Sequence, residues 1–211
     1  MSKIDEISAA IETGDAKTIA DLVLQAIDEG VEPMDVLNHG MIDAMSVVGE
    51  RFSRGEAFVP EMLISARTMK KGVEALKPYL SKDAAGALGK VVIGTVAGDR
   101  HDIGKNLVAL MIESAGFEIV DLGINVPGEK FVQTVRENKD VRIVALSTLL
   151  TTTMPAMKAI VASLNALENR DSFRVMVGGA PITQAFADAI GADAYSADAA
   201  SAAAVAKSFV S

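Results

Sequence analysis

The stretch GDRHDIGKNL, residues 98 to 107, sets one of only two histidines among glycines and carboxylates. Asp99 lies two residues before His101. In a tight loop its carboxylate can accept a hydrogen bond from one ring nitrogen and leave the other as a free lone pair, the usual way a metal-ligating imidazole is oriented. Gly98 and Gly104 permit turns or close approaches of the backbone that a side chain would obstruct. A second stretch, STLLTTT (147–153), offers a run of hydroxyls, one of which can bond the outer aspartate oxygen and extend a relay from hydroxyl to carboxylate to imidazole. A plainer reading, in which His101 caps or packs beside the following helix, stands beside this one.

Two familiar chemistries fit these residues poorly. A hydrolytic triad needs its nucleophile directly on the base, whereas here the carboxylate stands between hydroxyl and ring. A zinc site wants several Cys or His ligands, but the chain has no cysteine and its other histidine, His39, falls in a separate helical stretch. The donors suit a single axial bond to a metal whose remaining ligands arrive with a macrocyclic cofactor.

Composition narrows the setting. The 211 residues are half apolar, enough for a buried core, and 20 basic against 28 acidic residues give a net charge of -8. No Lys/Arg stripe appears, which argues against a nucleic-acid partner. The opening MSKIDEISAA lacks the pattern of a targeting segment, and no run reaches the roughly 20 apolar residues of a membrane span. The expectation is a cytoplasmic protein with no membrane partner.

The elements that must position the histidine fall into two regions. Over residues 1–80, apolar residues recur at helical spacing, as in Ile4, Ile7, Ile11, then Ile19, Val23, Ile27, then Leu37, Met41, Met45, Val48, Phe52, and then Met62, Met69, Leu76. The pattern predicts four helices, punctuated by Asp15, Pro33, the SRGEAFVP break and Pro60. Short connections favour a small antiparallel bundle. Met34, Met41, Met45, Met62 and Met69 read as adaptable packing and His39 as structural on an apolar helical face. The small, polar SKDAAGALG (81–89) reads as a linker. From 90 to 211 the pattern changes to short β-branched runs, KVVIGTV (90–96), FEIVDL (117–122), VRIVALS (141–147), FRVMVGG (173–179) and ADAYS (192–196), separated by amphipathic helices. These predict an α/β domain with a five-stranded parallel sheet, Rossmann-like and wound 2-1-3-4-5 as in flavodoxin. Its ligand crevice would open at the carboxyl ends of the first and third strands, where AGDRHDIG and STLLTTTMP lie.

Here the residues carry a family resemblance. Asp99, His101 and Gly104 form an Asp-x-His-x-x-Gly motif, Ser147, Leu149 and Thr151 a Ser-x-Leu-x-Thr element, and Gly178 and Gly179 a glycine pair, each after successive strands. The set, with DLGINVPGEKFV (121–132) and the helical stretch at 48–80, resembles the cobalamin-binding proteins of the methionine synthase and methyltransferase corrinoid class. The resemblance covers essentially the whole chain, and three ordered motifs plus a helical cap make it specific.

The resemblance implies a cobalamin cofactor held base-off, with His101 replacing the nucleotide base as lower axial ligand to cobalt. Gly98, Ser147, Leu149, Thr151, Gly178 and Gly179 would line a slot for the nucleotide tail. Arg100, Asp102 and Ile103 would border the cofactor within the motif. Asp99 would tune His101, and Thr153 aligns with the third, hydroxyl-bearing member of the relay. Phe52, Val59 and Met62 align with apolar cap residues that shield the reactive face from water, while their helical spacing equally suits plain bundle core. The function implied is a methyl carrier, loaded by a substrate-specific methyltransferase and emptied by a second one serving tetrahydrofolate or a thiol, with a reductive activator as a further partner and the linker as hinge. A cobalamin-dependent sensor would need an output module for which the 211 residues leave no room. The small subunit of an adenosylcobalamin mutase would have no use for the helical cap.

Overall fold

The computed structural model describes residues 2–80 and 88–210, which form two compact units. Of the predicted linker at 81–89, residues 81–87 lie outside the described residues. Among the described residues no helix is long and apolar enough to cross a membrane.

The first unit is helical. Helix α1 (Lys3–Thr13) opens on a capping box, in which the Asp5 N–H donates to Ser2 Oγ and the Ser2 N–H to Asp5 Oδ2. It closes at Gly14, whose φ of 75° needs glycine. Helix α2 (Ile19–Asp28) follows a turn in which Asp15 Oδ1 accepts from the Lys17 and Thr18 N–H groups. The predicted third helix is one run made of α3 (Pro33–Asp35), a π-helical segment (Val36–Ile42) and α4 (Asp43–Ser53). Helix α5 (Val59–Leu76) carries Pro60 in its first turn. Ile7, Ile11, Ile19, Val23, Met41, Met45, Met62, Met69 and Leu76 are buried, whereas Met34 remains over a third exposed.

The π segment departs from the sequence expectation of plain α-helix. Ser8 Oγ of α1 donates to the carbonyls of both His39 and Gly40, and a Cβ on Gly40 would stand 3.1 Å from Ile7 Cγ2. The close approach of α1 meets the widened turn there and satisfies its carbonyls. His39 itself corrects the sequence reading. It is exposed, with Nδ1 3.0 Å from Asp43 Oδ2 one turn further along the helix.

The second unit is a five-stranded parallel sheet in the order β2-β1-β3-β4-β5, as the sequence predicted. Its strands are β1 (Lys90–Thr95), β2 (Glu118–Asp121), β3 (Val141–Ser147), β4 (Arg174–Gly178) and β5 (Ala194–Ser196). Helices α6 (Ile103–Ser114), α7 (Gly128–Glu137), α8 (Met154–Asn165) and α9 (Gln184–Ile190) connect them in turn, and α10 (Ala199–Ser208) follows β5. The central strands β1 and β3 are buried almost throughout, which is why they read as continuous apolar runs. One core gathers Phe131 of α7, Met157, Ile160 and Leu164 of α8 and Ile190 of α9 against Val92, Val144, Leu146, Val175 and Val177. Gly94 in β1 makes room for it, since a Cβ there would lie 2.8 Å from Phe131 Cζ.

Register brings the strand ends level. Thr95 pairs with Ser147, Ser147 with Gly178 and Gly178 with Ser196, so the loops leaving β1, β3 and β4 start from one row. The winding reverses between β1 and β3, and His101 lies just beyond the end of β1.

Phe131 is fully buried at the centre of this core. Phe131→Ala is expected to cost about 3–5 kcal/mol, measured by urea unfolding of the full chain. A loss below about 1 kcal/mol would contradict the packing described.

Candidate functional site

The site is built on Asp99, which has no exposed surface. The chain turns sharply after β1, with the Asp99 N–H donating to the Val96 carbonyl and Gly98 at a φ of 86°. That turn points the carboxylate inward, where each oxygen meets a different loop. Oδ1 accepts the backbone N–H of His101 at 3.0 Å and lies 2.7 Å from His101 Nδ1. Oδ2 accepts the Leu149 N–H at 2.6 Å and the Thr148 hydroxyl at 2.8 Å, both from the loop after β3.

Burial alone pushes the Asp99 carboxyl up. The N–H groups of His101 and Leu149, the imidazole and the Thr148 hydroxyl outweigh it and hold the group well below the usual carboxylate range. An ionised carboxylate can only accept, so Nδ1 carries the hydrogen of the shared bond, and the neutral tautomer this selects has its lone pair on Nε2. The His101 side chain is about half exposed, and among the described residues Nε2 has no hydrogen-bond partner. The result is a single, oriented, accessible nitrogen donor.

The relay differs from the sequence reading in one link. Thr153 was the expected hydroxyl partner of Asp99, but the structure gives that place to Thr148. Thr153 stands one step behind, its Oγ1 2.5 Å from Thr148 Oγ1 and 2.9 Å from the Leu150 carbonyl; with the Thr148 hydrogen on Asp99, the single Thr153 hydrogen serves these two acceptors. The reason is backbone path: the Leu149 N–H bonds Asp99 Oδ2, which brings the preceding side chain to the same oxygen. Both threonines are buried, while Thr151 is exposed in the short turn that begins α8.

The glycines have work to do within the protein itself. At Gly179, with a φ of 126°, an added Cβ would fall 1.8 Å from the Thr148 carbonyl oxygen, so β4 closes on the relay loop only because that residue is glycine. Gly98 would place a Cβ 3.0 Å from the Thr153 methyl, and Gly178 one 3.2 Å from the Ser196 carbonyl. Gly104 faces open space. Arg100 and Gly104 are exposed beside His101, Asp102 is half-buried, and Ser147 closes β3.

Sequence reasoning missed several contributors. Thr95 Oγ1 donates to the His101 carbonyl. Asn125, in the loop after β2, holds Gly98 through its side chain and Asp99 through its backbone. Lys105, buried at the start of α6, pairs with Asp121 at the end of β2. Ile124 and Leu150 join the expected Ile103 (84% exposed) and Leu149 as exposed apolar side chains following β1, β2 and β3. Ile124 and Asn125 lie inside the DLGINVP stretch, whose glycine and proline were the available signal.

These residues fit a metal that brings its own equatorial ligands. Among the described residues no three His, Cys, Asp or Glu side chains gather to hold a bare ion. One imidazole nitrogen amid exposed apolar side chains suits the face of a large macrocycle. Phe52, Val59 and Met62 belong to the helical unit. Phe52 is half-buried and Val59 exposed, whereas Met62 is fully buried in the stripe of α5 that continues through Met69 and Leu76. Phe58, next to Val59, is 68% exposed and went unremarked in the sequence.

Thr148→Val should cost about 1.5–3 kcal/mol, because it strips a hydrogen bond from a buried charge, and Thr153→Val about 0.5–1.5 kcal/mol. Equal losses in urea unfolding would contradict the order of the relay. Gly179→Ala should displace Thr148 and so alter the nitrogen chemical shifts of the His101 ring, while an unaltered ring spectrum would contradict the close approach.

Comparison with known proteins addresses the whole chain. A B12 binding domain model matches residues 89–206, and a second B12 binding domain model matches residues 3–77. The chain is 41% identical to trimethylamine corrinoid protein 1 of Methanosarcina acetivorans over 91% of each sequence. In structure it is similar to a cobalamin-binding protein from Desulfitobacterium hafniense, with a TM-score of 0.84, 31% identity and coverage of 99% of this chain and 98% of that one. It is also similar to a chain of the methanol:cobalamin methyltransferase complex MtaBC from Methanosarcina barkeri, with a TM-score of 0.83, 30% identity and coverage of 99% and 79%. With both regions of the sequence matched and likeness running its full length, the chain belongs to the B12-binding corrinoid proteins and binds cobalamin.

Proposed function

We propose that this corrinoid protein is a methyl carrier that holds cobalamin base-off with His101 Nε2 as lower axial ligand. It receives a methyl group from a substrate-specific methyltransferase and yields it to a second methyltransferase, serving tetrahydrofolate or a thiol. Cobalt in the bound corrin supplies the nucleophile and the leaving group for such transfers. The chain's own part is to bind, orient and protect.

The observation that carries the reading is the Asp99–His101 pair. A buried carboxylate fixes Nδ1 at 2.7 Å and leaves Nε2 as the sole free donor at the mouth of the α/β crevice. Thr148 extends that pair inward, its hydroxyl on Asp99 Oδ2 and Thr153 behind it, so the carboxylate that orients the ring is itself held in place. Ile103, Ile124, Leu149 and Leu150 receive the macrocycle, with Arg100, Asp102 and Gly104 at its border. Gly98, Ser147, Thr151, Gly178 and Gly179 flank the tail slot. The reading gives half-buried Phe52 and exposed Val59 of the helical unit the exclusion of water from the reactive face, whereas Met62, with no exposed surface, belongs to the core of that unit.

A partner methyltransferase is supported by the solved relative in a methanol:cobalamin methyltransferase complex and by the trimethylamine corrinoid protein. A second methyltransferase and a reductive activator complete the proposed cycle.

The test is the visible spectrum of the protein reconstituted with hydroxocobalamin and desalted, beside His101→Ala prepared in the same way. A retained chromophore whose bands shift in the variant is the expected result. Identical spectra would overturn His101 as the ligand.

A further inference from the structure

We propose that Asn125 is a positioning residue for the Asp99–His101 pair, clamping the loop that carries it from the β2–α7 side. The inference rests on the reading of His101 as axial ligand. Asn125 is the one non-glycine with positive φ among the described residues, at 52°. An L-residue enters that region at a steric cost, smaller for asparagine, so the conformation persists where surrounding contacts enforce it.

The contacts that use this conformation lie outside its own turn. Asn125 Oδ1 accepts the Gly98 N–H at 2.7 Å, 27 residues away in sequence. Its backbone N–H donates to the Asp99 carbonyl at 2.8 Å. The Ala97–Gly98 and Asp99–Arg100 peptides, which bracket the Gly98–Asp99 step, are thereby held from one residue, in a loop whose Gly98 has itself a left-handed backbone. An asparagine that served only a local turn would bond its own neighbours two or three residues on.

The clamp is anchored in turn. Val126 donates to the Thr95 carbonyl and Thr95 to the Gly123 carbonyl, while the Gly123 N–H is held by Asp121 Oδ1. The other oxygen of Asp121 takes the buried Lys105 ammonium, which ties this loop to the first turn of α6. Thr95 Oγ1 closes the circuit on the His101 carbonyl. Asn125 thus joins a braced loop to the ligand loop, and His101 is fixed along its backbone as well as at its ring.

Asn125 is exposed, so its replacement opens no cavity. Asn125→Gly removes the acceptor and relieves the left-handed cost while freeing the unfolded chain, opposing effects that should leave thermal stability near wild type. That separates positioning from folding. In the apo full chain, amide exchange at Gly98 should quicken about tenfold in Asn125→Gly and stay near wild type in Asn125→Asp, which keeps an acceptor oxygen. In protein reconstituted with hydroxocobalamin and reduced to cobalt(II), the electron paramagnetic resonance splitting from the axial nitrogen should weaken or broaden in Asn125→Gly and recover in Asn125→Asp. Wild-type exchange and splitting in Asn125→Gly would overturn the proposal, as would an Asn125→Asp variant altered as much as the glycine one. His101→Ala runs alongside. If it leaves the splitting intact, the ligand reading is what has failed, and Gly98 exchange alone then decides whether Asn125 clamps the loop.

Discussion

A carboxylate with no exposed surface, placed at the end of a strand in an apolar sheet, would cost on the order of several kcal/mol if left unpaired. Asp99 is tolerated because two loops converge on it with complementary donors, two peptide N–H groups, one hydroxyl and one imidazole. Much of the α/β unit can be traced to that requirement. The level row of Thr95, Ser147 and Gly178 starts the loops from one height, and Gly179 lets β4 close on the Thr148 carbonyl. The imidazole is oriented as a by-product of solving the charge problem: the aspartate must be satisfied, and one of its four donors is the ring.

The proposed ligand is stiff at both ends. Asp99 fixes the ring nitrogen, while Thr95 holds the His101 carbonyl and the His101 N–H returns to the same carboxylate. A donor held this way loses little conformational freedom on binding a metal, which favours affinity without added contacts. The apolar residues around it sit on three separate loops, so a flat partner can be met without any one loop having to be long.

The fold was legible in the sequence because its signals are local. β-branched runs of strand length, helical periodicity between them and a change of pattern in the eighties fix the two regions and the sheet order. Asp99 and His101 were legible for a similar reason, two residues apart with glycines beside them. What escaped depends on tertiary approach. STLLTTT offers hydroxyls of one chemical type at several positions, and only the path of the Leu149 peptide selects Thr148 over Thr153. Asn125 is one polar residue in a loop until Gly98 and Asp99 are brought to it from 27 and 26 positions away. The π segment needs Ser8 and Ile7 against Gly40, a contact made by another helix, and His39 shares its apolar neighbours' spacing yet faces outward.

The donors to Asp99 come from positions 101, 148 and 149, so half of them lie some fifty residues downstream of the group they satisfy. On a chain emerging from the ribosome, the first strand and its histidine appear well before the third strand exists to complete the shell. Until then Asp99 lacks the two donors that cover its second oxygen, and only the local bonds to His101 are within reach. Assembly of the donor therefore coincides with pairing of β1 and β3, a non-local step that comes late in synthesis. A truncated or half-made chain can present the His-containing sequence without the buried carboxylate that steadies its ring, so the proposed ligand is fully formed only when the sheet beneath it is whole.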